Sequence, residues 1–229
     1  MSQSLKARKE ISTWDRLILA GEILYGRHGL EGVSLRQICA AAGSGDNYAV
    51  QYHFGNADGL VKAILAKRRP EMEMQRAQLL LQMKRGSTLT TRDLLGCLFR
   101  PVLEHRDEQG KRVHASFELA LLCSPRGAAF HDDALQEMSI TQELLELLHI
   151  ANPHLTAAFI WYRLQLIATL VFSSVCARFS PYESTSFDDA VIENALDMAV
   201  GALNASQGDA AADMMRRVGT RRINQTDST

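Results

Sequence analysis

The sequence has 229 residues, 46% hydrophobic and 22% charged, an ordinary globular balance with room for one large domain or a small domain plus a medium one. Its four cysteines, Cys39, Cys97, Cys123 and Cys176, are widely scattered and form no CxxC pair or His/Cys cluster, so they read as small buried hydrophobes in a reducing compartment, with no metal site. The first thirty residues lack the apolar run of a signal peptide, and the most apolar stretch, 164–177, is interrupted by Gln165 and too short to span a bilayer, so the expected protein is soluble and cytoplasmic, with no membrane partner.

The net charge of −1 hides a split. Residues 1–69 hold 10 Lys/Arg against 6 Asp/Glu, residues 70–204 hold 11 against 17, and residues 205–229 hold 4 against 3. A basic N-terminal module on an acidic body suits a polyanionic partner at one end.

Helical periodicity runs through nearly the whole chain. From a cap at Ser12 or Thr13, apolar residues recur at Trp14, Leu17, Ile18, Leu24 and Tyr25, and the helix ends at His28 with Gly29 beyond it. Ser34 caps a second helix, Leu35 to Ala42, closed by Gly43. Asp46 or Asn47 caps a third, short helix running through His53, which Gly55 breaks; Asn56 then caps a fourth, with Asp58 in its first turn. Pro70 is expected to kink or end that helix, making it a joint between modules. Further helices are predicted near 89–107, 112–123, 128–150, 154–179 and 186–205, separated by breaks such as Ser124-Pro125-Arg126-Gly127, Asn152-Pro153 and Ser180-Pro181.

The second and third helices form a DNA-reading constellation. In a helix-turn-helix the second helix lies in the major groove while flanking N-termini grip phosphates. Ala49, Val50 and Phe54 supply the inward positions of that short helix, which leaves Asn47, Tyr48, Gln51, Tyr52 and His53 outward. Asn and Gln bond bidentately to adenine, and Tyr contacts phosphate or a thymine methyl. Ser34 and Arg36 stand at the preceding helix N-terminus, where a phosphate is met by hydroxyl, guanidinium and free amides.

On these residues the chain resembles the TetR family of bacterial transcriptional regulators. Ala20-Gly21 before Leu24-Tyr25, then Gly29, VSLRQI, AAG and AVQYHFGNADGL follow that family's signature in order and spacing over about residues 10–66. The resemblance implies a homodimer that binds a palindromic operator on double-stranded DNA, usually represses transcription, and is released by a small-molecule effector in the C-terminal domain. Three departures stand out. The turn after Gly43 is one residue longer, with SGD in place of the common Val-Ser; Gln51 replaces a frequent aromatic; and Ala57 replaces a cation that usually meets phosphate. Lys6, Arg8 and Lys9 could compensate by approaching the backbone or the minor groove.

The implied organisation is a helix-turn-helix DNA-binding domain at 1–69 (core 10–66), a ligand-binding and dimerisation domain at 70–205, and a flexible tail at 206–229. The fold class is all-α, a three-helix N-terminal domain joined to a larger helical bundle, about nine helices in total. The helices near 154–179 and 186–205 carry broad apolar faces suited to a dimer interface. Candidate effector contacts are Phe99, Phe117, Met138, Trp161 and Tyr162, joined by Cys97, Leu121 and Phe172, with Arg100, His114 or Arg163 as polar anchors. No cofactor is implied. The contrasting classes are an enzyme, for which no GxSxG, P-loop, dinucleotide or HExxH motif is present, and a TetR-like protein-interaction module without operator binding.

Overall fold

The computed structural model describes residues 11–86, 88–127, 129–131, 137–176 and 185–206. Lys6, Arg8 and Lys9, the Ser180-Pro181 break and the tail from residue 207 lie outside the described residues. Regular structure among them is entirely helical, and nine helices are bounded: α1 (Thr13–His28), α2 (Leu35–Ala41), α3 (Ala49–Phe54), α4 (Ala57–Lys84), α5 (Thr91–Glu104), α6 (Val113–Leu122), α7 (Ser139–Ala151), α8 (Ala157–Val175) and α9 (Thr185–Asn204).

Capping side chains set the starts of the N-terminal helices. Ser12 Oγ accepts from Asp15 N at 3.1 Å, and Asn56 Oδ1 accepts from Gly59 N at 2.8 Å. Ser34 and Gln37 form a reciprocal capping box that satisfies two orphan amides of α2. Gly59 permits the abrupt passage from α3 to α4, because a Cβ there would lie 1.9 Å from the carbonyl oxygen of Phe54. Trp14 meets Phe54 with ring centroids 5.9 Å apart, tying α1 to the end of α3.

Of the kink or end expected at Pro70 the end is excluded, because α4 runs through it for 28 residues. A mid-helix proline costs about 3 kcal/mol. Burial on both sides outweighs that cost, with Leu60, Val61, Ile64 and Leu65 in one core and Met72 and Leu80 in another. The first core gathers Leu17, Ile18, Ile38, Cys39, Val50 and Leu60, and it also takes Phe117 and Leu121 from α6 and Phe130. The second is built by α5, α7, α8 and α9 around Leu95, Leu103, Leu144, Val171 and Leu196. Because α6 packs along α1, the N-terminal helices are not a freestanding unit; they rest on the body through α4 and α6.

By length and composition α8 could cross a membrane, yet Phe159, Ile160, Leu164, Ile167 and Val171 are buried inside the bundle. Its Arg163 donates to the backbone carbonyls of Leu203 and Ala205, which anchors α8 to the end of α9. The cysteines divide differently from expectation. Cys39 and Cys97 are buried, Cys123 is exposed and Cys176 half-buried. Cys123 sits just past the last turn of α6, where the chain leaves the core, so helical context alone did not bury it.

Candidate functional site

The helix-turn-helix is assembled by α2, the connection 42–48 and α3. Gly43 takes φ 65°, a conformation costly for other residues, and lets Ser44 N donate back to Cys39 O at 3.0 Å. The SGD segment is pinned by its own polar groups, with Ser44 Oγ donating to Asp46 O at 3.1 Å and Tyr48 N donating to Asp46 Oδ1 at 2.8 Å. One expectation is corrected here. α3 starts at Ala49, not directly after Asp46 or Asn47, and its N-cap residue Tyr48 makes no side-chain capping bond. Asp46 satisfies the amide of Tyr48 in the turn, so Asn47 and Tyr48 precede the helix.

Ala49 and Val50 are buried against the N-terminal core and fix the rotation of α3. Tyr48 and Tyr52 then stand on one face, linked by a Tyr52 N to Tyr48 O bond at 2.9 Å, and are 70% and 83% exposed. Asn47, Gln51 and His53 are exposed beside them, and His53 meets the edge of Tyr52 with ring centroids 5.0 Å apart. Arg36 is exposed in the first turn of α2. Ser34 is exposed as well, but its hydroxyl donates to Gln37 Oε1 at 2.7 Å, so its proton is committed to the capping box. All seven predicted DNA-facing residues are exposed, with Ser34 internally bonded.

Beside these helices lies a cavity of about 140 Å³ between α4, α5, α6, α7 and α8. Phe99, Met138, Trp161, Phe172 and His114 line it. Phe117 and Tyr162, the other two expected effector contacts, lie outside this lining. Phe117 is fully buried in the N-terminal core because α6 turns it toward α1, and Tyr162 lies on the outer face of α8. Cys97 and Leu121 are packed in the two cores, and Arg100 pairs with Glu104 and Glu193.

Of the cavity's polar wall, only His114 is expected from the sequence. Arg68 donates from Nε to Glu22 Oε1 at 2.9 Å and from Nη2 to Glu22 Oε2 at 2.6 Å, and His114 Nδ1 stands 3.0 Å from Glu22 Oε1. Burial by itself would raise the Glu22 pKa, but the hydrogen bonds from His114 and Arg68 prevail and lower it from 4.5 to about 2. Glu118 Oε1 and Oε2 lie 3.5 and 3.6 Å from His114 and His131. Further along α4, Arg76 donates to Leu98 O, Glu73 and Thr141, while Glu73 accepts from the amides of Ile140 and Thr141 at the start of α7. A clue was present in the sequence, since Glu22 interrupts the apolar stripe of α1 between Ile18 and Tyr25. Among the described residues, no group of three or more His, Cys, Asp or Glu is arranged to hold a metal.

The outer faces of α8 and α9 expose Tyr162, Leu166 and Met198, each more than half accessible, on two helices that pack against each other.

No protein-family model matches the chain, and no curated protein matches it. Solved structures do. A provisionally assigned transcriptional regulator from Pseudomonas aeruginosa PAO1 is 18% identical over 88% of this chain and 98% of its own, with a TM-score of 0.48. A provisionally assigned TetR-family regulator from Rhodococcus sp. is 17% identical over 84% and 97%, with a TM-score of 0.44. Another, from Vibrio parahaemolyticus, is 11% identical over 81% and 97%, with a TM-score of 0.41.

Proposed function

We propose that this chain is a cytoplasmic, homodimeric TetR-family transcriptional regulator, a repressor released from a palindromic operator by a small-molecule effector and not an enzyme. The observation that carries the reading is the pair Tyr48 and Tyr52, largely in solvent at the cap and on the outer face of a short helix whose other face is buried. Leaving two large aromatics in water is unfavourable for a purely structural element and suits a surface that meets a partner. Gln51, Asn47 and His53 add the hydrogen-bonding groups that base edges require.

In this reading Arg36 grips phosphate at the α2 N-terminus, and Ser34 does so by turning its proton away from Gln37. Residues 1–69 form the reading head and 70–205 the ligand-binding and dimerisation body, with α6 shared between them. Tyr162, Leu166 and Met198 mark the surface where a second copy packs, which places two heads on successive major grooves.

The test is footprinting on the promoter region of its own gene. A salt-sensitive, two-fold-symmetric footprint is expected. Full operator affinity in a variant carrying Tyr48→Ala, Gln51→Ala and Tyr52→Ala together overturns the recognition face. Absence of any DNA binding by the folded protein favours the interaction-module reading instead.

A further inference from the structure

We infer that the cavity takes a small organic carboxylate carrying a single ring or a short branched chain, and that its head group competes with Glu22 for Arg68 and His114. The part of this inference that concerns DNA release rests on the regulator reading; the binding itself does not.

The lining is mixed. Met72, Phe99, Leu164 and Phe172 supply apolar surface, and Arg68, Arg69, His114 and His131 supply polar groups. Two of these donors are unfinished. Arg69 Nε and His131 Nε2 are buried without a hydrogen-bond partner. Arg69 Nη1 reaches Glu137, which is exposed, and His131 Nε2 stands 3.6 Å from Glu118. A buried donor without an acceptor is destabilising, so a ligand oxygen that reaches Arg69 Nε or His131 Nε2 is favoured.

Unspent donors select the ligand. Among the described lining residues Glu118 is the one acid and faces His114 and His131, while Arg68, Arg69 and Arg76 supply the guanidinium groups. Arg68 and Arg76 are already bonded to Glu22 and Glu73, and Arg69 bonds Glu137 through Nη1, so the unspent donors are Arg69 Nε and His131 Nε2, which a ligand oxygen satisfies and a cation does not. The donor set already holds a carboxylate, that of Glu22, with a two-point arginine bond and a histidine, the geometry that planar anions favour. The volume, about 140 Å³, is close to the ~150 Å³ of an apolar cavity that accepts benzene, which sets the ligand at one ring or a comparable branched chain.

The consequence is an exchange of anions. Glu22 belongs to α1 in the reading head, and Arg68 and His114 belong to α4 and α6. When a ligand carboxylate takes those donors, the Glu22 carboxylate is left buried without its partners and must leave or take up a proton. Either outcome loosens α1 from α4 and α6 and shifts the head relative to the body.

The experiment is calorimetric titration of the full chain with benzoate, phenylacetate and 3-methylbutanoate and with their neutral amides. At least one acid should bind once per chain, with its amide at least tenfold weaker. Arg69→Met should weaken that acid at least tenfold, and Glu22→Gln should tighten it several-fold by removing the competitor. Acids and amides that bind equally, or acids that all fail to bind, overturn the inference. So does a folded Glu22→Gln variant with unchanged acid affinity. If that variant does not fold, the carboxyl carbon resonance of Glu22 in the natural protein decides: it should move on saturation, and a stationary signal overturns the competition. DNA binding measured alongside separates the two ideas. An acid bound by a protein that never binds DNA leaves this site standing and removes the regulator reading. An operator complex formed by a protein that ignores every acid does the reverse.

Discussion

Arg68 of α4 holds Glu22 of α1 through two hydrogen bonds, 2.9 and 2.6 Å long, with the carboxylate completely shielded from solvent. Burial of Arg68 and its bonds to Glu22 oppose each other in the guanidinium, and the pairing wins, so its pKa rises. The pair spans the junction between the N-terminal helices and the cavity, and its energetics are open to measurement.

Because the Glu22 pKa falls to about 2 when folded, against 4.5 ordinarily, the unfolded chain binds more protons between those values. The stabilisation is therefore complete above pH 4.5 and is lost as pH drops toward 2. Urea unfolding across pH 7 to 3 should show stability declining in the acid range, with a shallower decline in Glu22→Gln. Arg68→Met leaves the carboxylate with His114 alone and should lower the unfolding free energy by about 3 kcal/mol at pH 7. An Arg68→Met loss below 0.5 kcal/mol would show that the pair does not hold α1 to α4.

Ser34 has a structural duty separable from any phosphate contact. Removing its hydroxyl breaks the capping box, so Ser34→Ala should cost about 1 kcal/mol, and Ser34→Gly only a few tenths. Thermal unfolding distinguishes the two. If both variants lose operator affinity equally despite different stabilities, the hydroxyl also meets the DNA.

Tyr52→Ala and Gln51→Ala should leave stability within about 0.5 kcal/mol, since both side chains are exposed. Specific DNA binding should weaken by about 1–3 kcal/mol for a lost base contact. A weakening that is uniform across specific and random DNA would assign these side chains to the backbone instead.

On the outer bundle face, Leu166→Glu together with Met198→Glu should yield a folded monomer in sedimentation at micromolar concentration. Like charges would then face each other wherever two copies pack these helices together. Persistence of a dimer would place the interface elsewhere.

Replacing Pro70 by Ala restores an amide that can bond to the carbonyl of Ala66 and should raise the unfolding free energy by roughly 1–3 kcal/mol. A loss of stability would mean that the packing on either side depends on the proline's shape.

The residues themselves determined most of what neighbours a few positions apart govern, the start of α3 excepted. Ser12, Ser34 and Asn56 could be read as caps and Gly29, Gly43 and Gly55 as breaks, because such groups act on amides within one turn. The inward set Ala49 and Val50 and the outward set Gln51 and Tyr52 followed from helical period alone. Tertiary packing decided the rest. Pro70 was overridden because two cores bury α4 on either side of it, an energy no local rule contains. Phe117 and Tyr162 looked equivalent to Phe99 and Trp161 as aromatics on apolar helices, and only the docking of α6 on α1 and the outward rotation of α8 separated them from the cavity. Glu22 and Arg68 lie 46 positions apart, so their pairing exists only where α1, α4 and α6 close together and exclude water.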